Sequence, residues 1–573
     1  MTSQPALFYG PNKPELWRKT IASLIDEQEN RFGDRTAIVV PWQSVQLTYR
    51  QLAERSRLLA KAMLDMGLKH GDCVGIMAGN CYQYIEIFLA GGRIGCPVVV
   101  LNNTYTAKEL VNAVHRSLLF ISPTIGRRRL ATHLAALTGE TSPDPALPEL
   151  RRVVLVGPIE AESQQFGGVE VQGYNVFAST GESIFVNSAT SQRAERKVSP
   201  EDVLNLQFTS GTTGSPKAAM LTHINILNDG RFVGAAMRLT PSDIIVSPPP
   251  LFHCFGLVMG FLASFIHGSS TVFPSENFDA SKAVDALITY NATAILGVPT
   301  MFIAEMEVLA RTRKKPRGLR TGLASGASVM PALMWQIKEV MGVQGMLIPY
   351  GMTEASPVTF ITSFEDEEAK RVGSVGRVLP HTAAKVVDPQ GNIVAVGKRG
   401  ELRTSGFALQ KGYWRNEEKT REVMKMDEDG RVWMFTGDEA VLDEGGYARI
   451  TGRIKDIIIR GGENIFPLEI EERLMAHAFI AEASVVGIKD EKYGEVVGCF
   501  LKKAEGAAKI SDEGVREHVS SHLGRHKAPH YIFWIGDAGV GSDFPKTGSG
   551  KHQKHILREI GDRLVKTAPR ARL

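Results

Sequence analysis

Residues 209–217 read Thr-Ser-Gly-Thr-Thr-Gly-Ser-Pro-Lys, and their types point to one kind of chemistry. Gly211 and Gly214 let the backbone approach an anion closely. The hydroxyls of Thr209, Ser210, Thr212, Thr213 and Ser215 donate hydrogen bonds to phosphate oxygens, and Lys217 adds positive charge. Gly/Ser/Thr clusters also serve as plain turns. Here glycines, hydroxyls and lysine share one short loop behind an apolar run at 204–208, which predicts a strand. Pro216 precedes Lys217 and a second apolar run fills 218–221, so the spacing predicts another strand and then a helix from Thr222. That order departs from the strand–loop–helix of a kinase or GTPase. The stretch reads as a loop that grips a polyphosphate.

Four further stretches carry chemistry. Tyr350-Gly-Met-Thr-Glu354 offers an aromatic face, a hydroxyl and a carboxylate within five residues. Taken alone, Glu354 is ordinarily a surface group. Thr436-Gly-Asp438 places a carboxylate after a tight turn, where it can accept both hydroxyls of a ribose. Arg453 lies shortly before Gly461 and Gly462 and can donate to ribose or phosphate; with Asp438 it equally suits a structural ion pair. Pro545-Lys-Thr-Gly-Ser-Gly-Lys551 ends in a lysine on a glycine-rich loop.

Elements must hold these groups in place, and 573 residues exceed what one hydrophobic core supports, so several subdomains are expected. Composition is 43% hydrophobic and 22% charged with a formal charge of +4, which argues against a dedicated nucleic-acid binder. Five scattered cysteines show no metal-ligand spacing and suggest free thiols in a reducing compartment. The first residues lack a basic-then-apolar secretory pattern, and the longest apolar stretch, 254–266, is too short for a bilayer and predicts a buried helix. Thr48 to Gln51 form a capping box opening a helix with Leu52, Leu59, Met63 and Met66 on one face; Gly67 closes it, and strands follow at 73–77, 98–101 and 153–156. This alternation predicts an α/β protein. Residues 139–200, rich in Ser, Gly and Pro around one strand, read as a surface excursion. Past Gly452 a charged turn leads into a compact helix-and-strand unit, with strands at 485–488, 498–501 and 531–535 and a boundary near Lys455.

With five motifs in this order, the chain resembles the adenylate-forming, acyl-activating enzymes, from residue 47 to Lys551. The stretches 249–256 and 461–467 look most like fatty-acid-type CoA ligases. The resemblance implies a large N-terminal domain (1–454) of αβ-layered subdomains and a small mobile α+β domain (455–573). It implies ATP, Mg²⁺ and CoA as cofactors and co-substrate, with an apolar carboxylic acid activated as its acyl-adenylate. Ser210, Thr212, Thr213 and Lys217 then suit the β- and γ-phosphates, Glu354 the Mg²⁺ that bridges them, Thr353 the α-phosphate, Tyr350 the adenine, and Lys551 catalysis through charge developing on the α-phosphate. Lys455 falls where the family places its hinge, and Gly461-Gly462 would let the pantetheine chain of CoA pass. His253, Phe255, Gly256, Val298, Thr300, Gly326, Ala327 and Met352 are carried over as the acyl pocket. No Lys or Arg in that neighbourhood pairs with a second carboxylate, so a medium-chain fatty or arylalkyl tail is expected.

Three residues depart from the family pattern: Ala218 after Lys217, Glu439 after the Thr-Gly-Asp turn, and His552 after Lys551. None removes an expected catalytic group. A rival reading keeps the adenylation and passes the acyl group to a carrier protein; another keeps only nucleotide binding. Neither a nucleic acid nor a transmembrane segment is expected. The terminal Ala571-Arg572-Leu573 resembles a peroxisomal address, implying an import receptor as partner; otherwise the chain is expected in the cytoplasm, and the tail is a frayed basic end.

Overall fold

The computed structural model describes residues 4–113, 118–138, 150–157, 163–166, 168–182, 188–209, 216–326, 329–547 and 550–567. An eight-stranded sheet runs, in spatial order, Gln164–Phe166, Val169–Gly173, Arg152–Leu155, Leu118–Ile121, Val74–Met77, Val98–Val100, Val203–Thr209, Lys217–Thr222. Its interior strands are parallel and each edge is closed by an antiparallel hairpin. The interior strands read Val/Ile/Leu because helices cover both faces. The two flanks of the polyphosphate-loop sequence, Thr209 and Lys217, are fixed by strand pairing at one edge of this sheet.

A seven-stranded sheet runs Gly345–Leu347, Thr321–Ala324, Ala294–Gly297, Ile244–Val246, Ser270–Val272, Thr36–Val40, Val45–Thr48. The predicted helix after the box at Thr48 spans Tyr49–Asp65; Leu52, Leu59 and Met63 are buried, Met66 packs half-buried at its C-cap, and Gly67 takes φ +91°. The apolar stretch after Cys254 is a wide π-helical coil over Phe255–Leu262 that tightens to α over Ala263–Ile266, buried throughout.

Residues 139–200 differ from the expected excursion. Where described, they supply three strands of the eight-stranded sheet, the expected one among them, and Tyr174 and Phe177 are buried in the largest core cluster. The two further strands escaped the reading because they are only three and five residues long and carry Gln164, Gln165, Glu170 and Gln172.

A six-stranded antiparallel sheet links Leu7–Tyr9, Thr382–Val387, Arg399–Gly406, Val432–Leu442, Met424–Met426 and Ala448–Arg453. It ends at Arg453, and one 3-10 turn, Ile454–Asp456, leads into a separate five-stranded sheet. There Ile480–Asp490 pairs with Gly494–Lys503 along ten residue pairs. Val485, Val497 and Leu501 bury one face under helices Pro467–Met475 and Asp512–Ser520; Val486, Val496 and Phe500 bury the other under Lys554–Thr567. All five cysteines are buried, and none of them is in a disulfide. No helix among the described residues is long and apolar enough to cross a membrane.

Candidate active site

Ser210, Gly211, Thr212, Thr213, Gly214 and Ser215 lie outside the described residues, as does Ala327. The loop's two ends are placed: Thr209 and Lys217 face each other in antiparallel register, with Pro216 half-buried between loop and strand. The Lys217 ammonium lies 5.2 Å from the centroid of the Tyr413 ring. Tyr413 in turn donates its hydroxyl to Glu354 Oε1 at 2.7 Å. Burial and the Glu354 carboxylate push this hydroxyl's pKa up, so it stays a donor. One aromatic ring thus joins the expected phosphate cation to the expected metal ligand. The sequence reading missed Tyr413. Its signal was Gly412, whose φ of +138° marks the turn that delivers the ring beside Lys217.

Thr353 and Glu354 occupy a one-turn 3-10 segment, Thr353–Ala355, entered through extended Met352. The Gln410 N–H donates to Glu354 O at 2.9 Å, fixing the turn from a second strand connection. Among the described residues no group of three acidic, histidine or cysteine side chains forms a metal cage.

Tyr350, Asp438 and Arg453 make a second network. Asp438 and Arg453 sit opposite each other on adjacent strands, and Arg453 Nε reaches Asp438 Oδ1 at 2.9 Å. The Tyr350 hydroxyl donates to Asp438 Oδ2 at 2.6 Å. Gly437, at φ +68°, makes the turn that lets the Asp438 N–H donate to Thr436 Oγ1 at 3.1 Å. Each carboxylate oxygen therefore has one partner and keeps a second lone pair for a hydroxyl donor. The Asp438 carboxylate raises the Arg453 pKa further, so this cation is permanent.

Lys551 comes from the C-terminal sheet's side of the cleft. It is exposed, and the charges acting on it are Arg453, Asp438 and Glu354, members of both networks. Enclosure and Arg453 lower its ammonium pKa. Its field also reaches His253, whose pKa falls to about 4 through burial and then through Lys551. His253 Nδ1 accepts the Phe255 N–H at 3.1 Å, so the neutral ring carries its proton on Nε2. Gly550 lies beside Val298: a Cβ built on it would stand 4.0 Å from Val298 Cγ2.

Around this point the carried-over pocket residues converge unevenly. Val298 caps helix Pro299–Thr312, which bears half-buried Thr300, and Gly326 (φ +85°) abuts Val298 so closely that a Cβ would meet Cγ1 at 2.9 Å. Phe255 is buried in one cluster with Val298, Met259 and Met301. Gly256 presses on the carbonyls of Pro249 and Pro250. Gly461 and Gly462, at φ +57° and +89°, form the exposed two-residue tip of a hairpin between Ile458–Arg460 and Glu463–Ile465. Lys455 stands exposed in the turn between the two sheets, its pKa lowered by enclosure and by Arg453.

The sequence profile of the AMP-binding enzymes matches residues 25–414, and that of the AMP-binding enzyme C-terminal domain matches residues 469–551. The chain belongs to the AMP-binding enzymes, the adenylate-forming class. Along its full length it is similar to acyl-CoA ligases. It is 47% identical to the acyl-CoA ligase sidI of Aspergillus fumigatus over 98% of this chain and 95% of that one. It is 34% identical to the mitochondrial medium-chain acyl-CoA ligase ACSF2 of Danio rerio over 96% and 90%. Its fold matches the crystal structure of the anthranilate CoA ligase AuaEII in complex with anthranoyl-AMP with a TM-score of 0.82, over 96% of this chain and 98% of that one, at 21% identity.

Proposed function

We propose that the chain is an AMP-forming acyl-CoA ligase acting on an apolar carboxylic acid, medium-chain fatty or arylalkyl. The observation that carries this reading is that the paired Tyr350–Asp438–Arg453 network and the Tyr413-held Glu354 lie within electrostatic reach of Lys551, whose neighbour Gly550 stands beside Val298 of the expected acyl pocket. A carboxylate is a poor electrophile. In the first step its oxygen attacks the α-phosphorus of ATP, a P–O bond forms, and the bond to pyrophosphate breaks. Lys551 and Arg453 stabilise the negative charge that grows on the α-phosphoryl oxygens. Asp438 and Tyr350 hold the nucleoside, the 209–217 loop with Lys217 holds the leaving pyrophosphate, and Thr353 faces the α-phosphate. Glu354 fits Mg²⁺: it is a lone carboxylate steadied by Tyr413, which suits an ion that takes its other ligands from phosphate and water. When bound, the ion neutralises charge on the pyrophosphate.

In the second step a thiolate attacks the acyl carbonyl and AMP leaves. The sheet break at Ile454–Asp456 supports division into 1–454 and 455–573 with Lys455 as hinge. Rotation there would withdraw Lys551 and bring the open Gly461-Gly462 tip to the cleft for CoA. The apolar cluster of Phe255, Met259, Val298 and Met301 supports an apolar acyl tail lying against His253 and Met352. Ala571-Arg572-Leu573, outside the described residues, fits a peroxisomal import receptor.

The test is AMP formation from ATP across short-, medium- and long-chain and arylalkyl acids, with and without CoA, with the thioester identified by mass. CoA-dependent AMP and thioester from one apolar class is the expected result. Adenylate without thioester would move the reading to a carrier-protein acceptor.

A further inference from the structure

A catalytic ammonium must stay free for its substrate, so its aim has to come from what holds the backbone around it. Lys551 ends a tight hairpin. The Thr547 N–H donates to Lys551 O at 2.8 Å, the Gly550 N–H to Thr547 O at 2.8 Å, and the Lys551 N–H to Thr547 Oγ1 at 3.2 Å. Lys546 and His552 pair as a β-bridge at its base.

Both base residues end on the same carboxylate. Lys546 Nζ lies 2.7 Å from Glu482 Oε2, and His552 Nε2 lies 3.1 Å from the same oxygen. Lys502 Nζ stands 3.6 Å from Oε1 and anchors Asp543 at 2.9 Å, just before the hairpin. The His552 ring stacks on Phe544 with centroids 4.2 Å apart and planes 16° apart. Glu482 projects from Ile480–Asp490 where a register shift interrupts the ladder, the kind of irregularity that re-aims a side chain.

An exposed ion pair contributes little. This carboxylate differs: its side chain is 16% exposed, those of Lys546 and His552 are 23% and 20%, and the two cross the base of the hairpin from opposite ends. Its pKa is held down to about 2 by hydrogen bonds from His552 and Lys546 that outweigh burial. It remains ionised wherever an adenylating enzyme works. His552 is one of the departures in the sequence, and an aliphatic side chain there reaches no carboxylate.

We propose that Glu482 and His552 are positioning residues that aim Lys551, acting on adenylation and not on thioester formation. This rests on the reading of Lys551 as the adenylation lysine. The test separates the half-reactions of the full-length enzyme in Glu482→Gln, His552→Leu, His552→Gln and Lys551→Ala. Adenylation is read as acid-dependent pyrophosphate release, and the second step as thioester formed from supplied acyl-adenylate and CoA. Misplacing a catalytic group by about 1 Å costs on the order of 100-fold. Glu482→Gln and His552→Leu are expected to lower adenylation kcat by about 10- to 100-fold with KM for ATP and acid changed less than about twofold. Thioester formation should hold, and His552→Gln, which keeps an N–H donor, should recover part of the rate. Wild-type adenylation in both Glu482→Gln and His552→Leu, or equal loss in both half-reactions, would overturn the positioning role. Adenylation that survives Lys551→Ala would instead overturn the reading of Lys551 beneath it.

Discussion

The two halves of the cleft are held by different means. On the large-domain side, Tyr350, Asp438 and Arg453 lock one another across paired strands, and Tyr413 ties Glu354 to the neighbourhood of Lys217. Those groups are fixed before any ligand arrives. On the small-domain side, Lys551 sits on a segment whose base is pinned to Glu482, in a unit whose sheet follows the rest of the chain after one short turn. A rigid half suits binding that must persist through both steps. A half on a turn suits a group needed in one step and in the way during the next.

The largest break in this comparison is Lys551→Ala. Losing a group that stabilises transition-state charge typically costs 10²–10³-fold in kcat, so adenylation should fall by at least that factor while supplied acyl-adenylate still yields thioester. On the rigid side, Asp438→Asn should act through binding. It leaves the Arg453 charge and the Tyr350 hydroxyl poorly paired and is expected to raise the ATP KM by about 10-fold or more, measured by initial rates. Tyr350→Phe removes one hydrogen bond worth about 1 kcal/mol, and the ATP KM should rise roughly fivefold. Gly462→Ala forces a side chain onto φ +89° with open space around it, so strain alone is at stake. It should slow thioester formation severalfold and leave pyrophosphate release alone.

Proton titration sharpens the comparison. Because the Lys551 pKa is lowered, adenylation should decline on the alkaline side before an ordinary lysine would lose its proton; Lys551→Arg should move that limb upward. His253, at about 4, is neutral from pH 5 upward and should add no inflection near 6.5. Glu482 has a depressed folded pKa. Its stabilising contribution is therefore complete above the ordinary carboxylate value and lost as pH falls through about 2, and Glu482→Gln should flatten the acid side of the stability profile.

Much of the architecture was legible in periodicity. The strand–loop–strand around 209–217, the capped helix after Thr48 and the three C-terminal strands follow from apolar runs and turn residues. Within 139–200 the strand at 152–155 was legible, but Gln164–Phe166 and Val169–Gly173 were not, because they are only three and five residues long and largely polar. In the site, Asp438 and Arg453 were readable as types, but their pairing depends on the register between two strands. Tyr413 and Glu482 were invisible for the same reason: each acts on a residue 59 or 70 positions away. His552 stood out only as an unusual neighbour of Lys551, and its partner supplies the reason.

The most direct test of the account is a single pair of assays on Lys551→Ala with an acid that the wild-type enzyme activates. Pyrophosphate release is expected to fall by at least about 100-fold, with thioester formation from supplied acyl-adenylate near the wild-type rate. Equal loss in both assays, with the thermal midpoint unchanged, would contradict a small domain whose lysine serves only the first step.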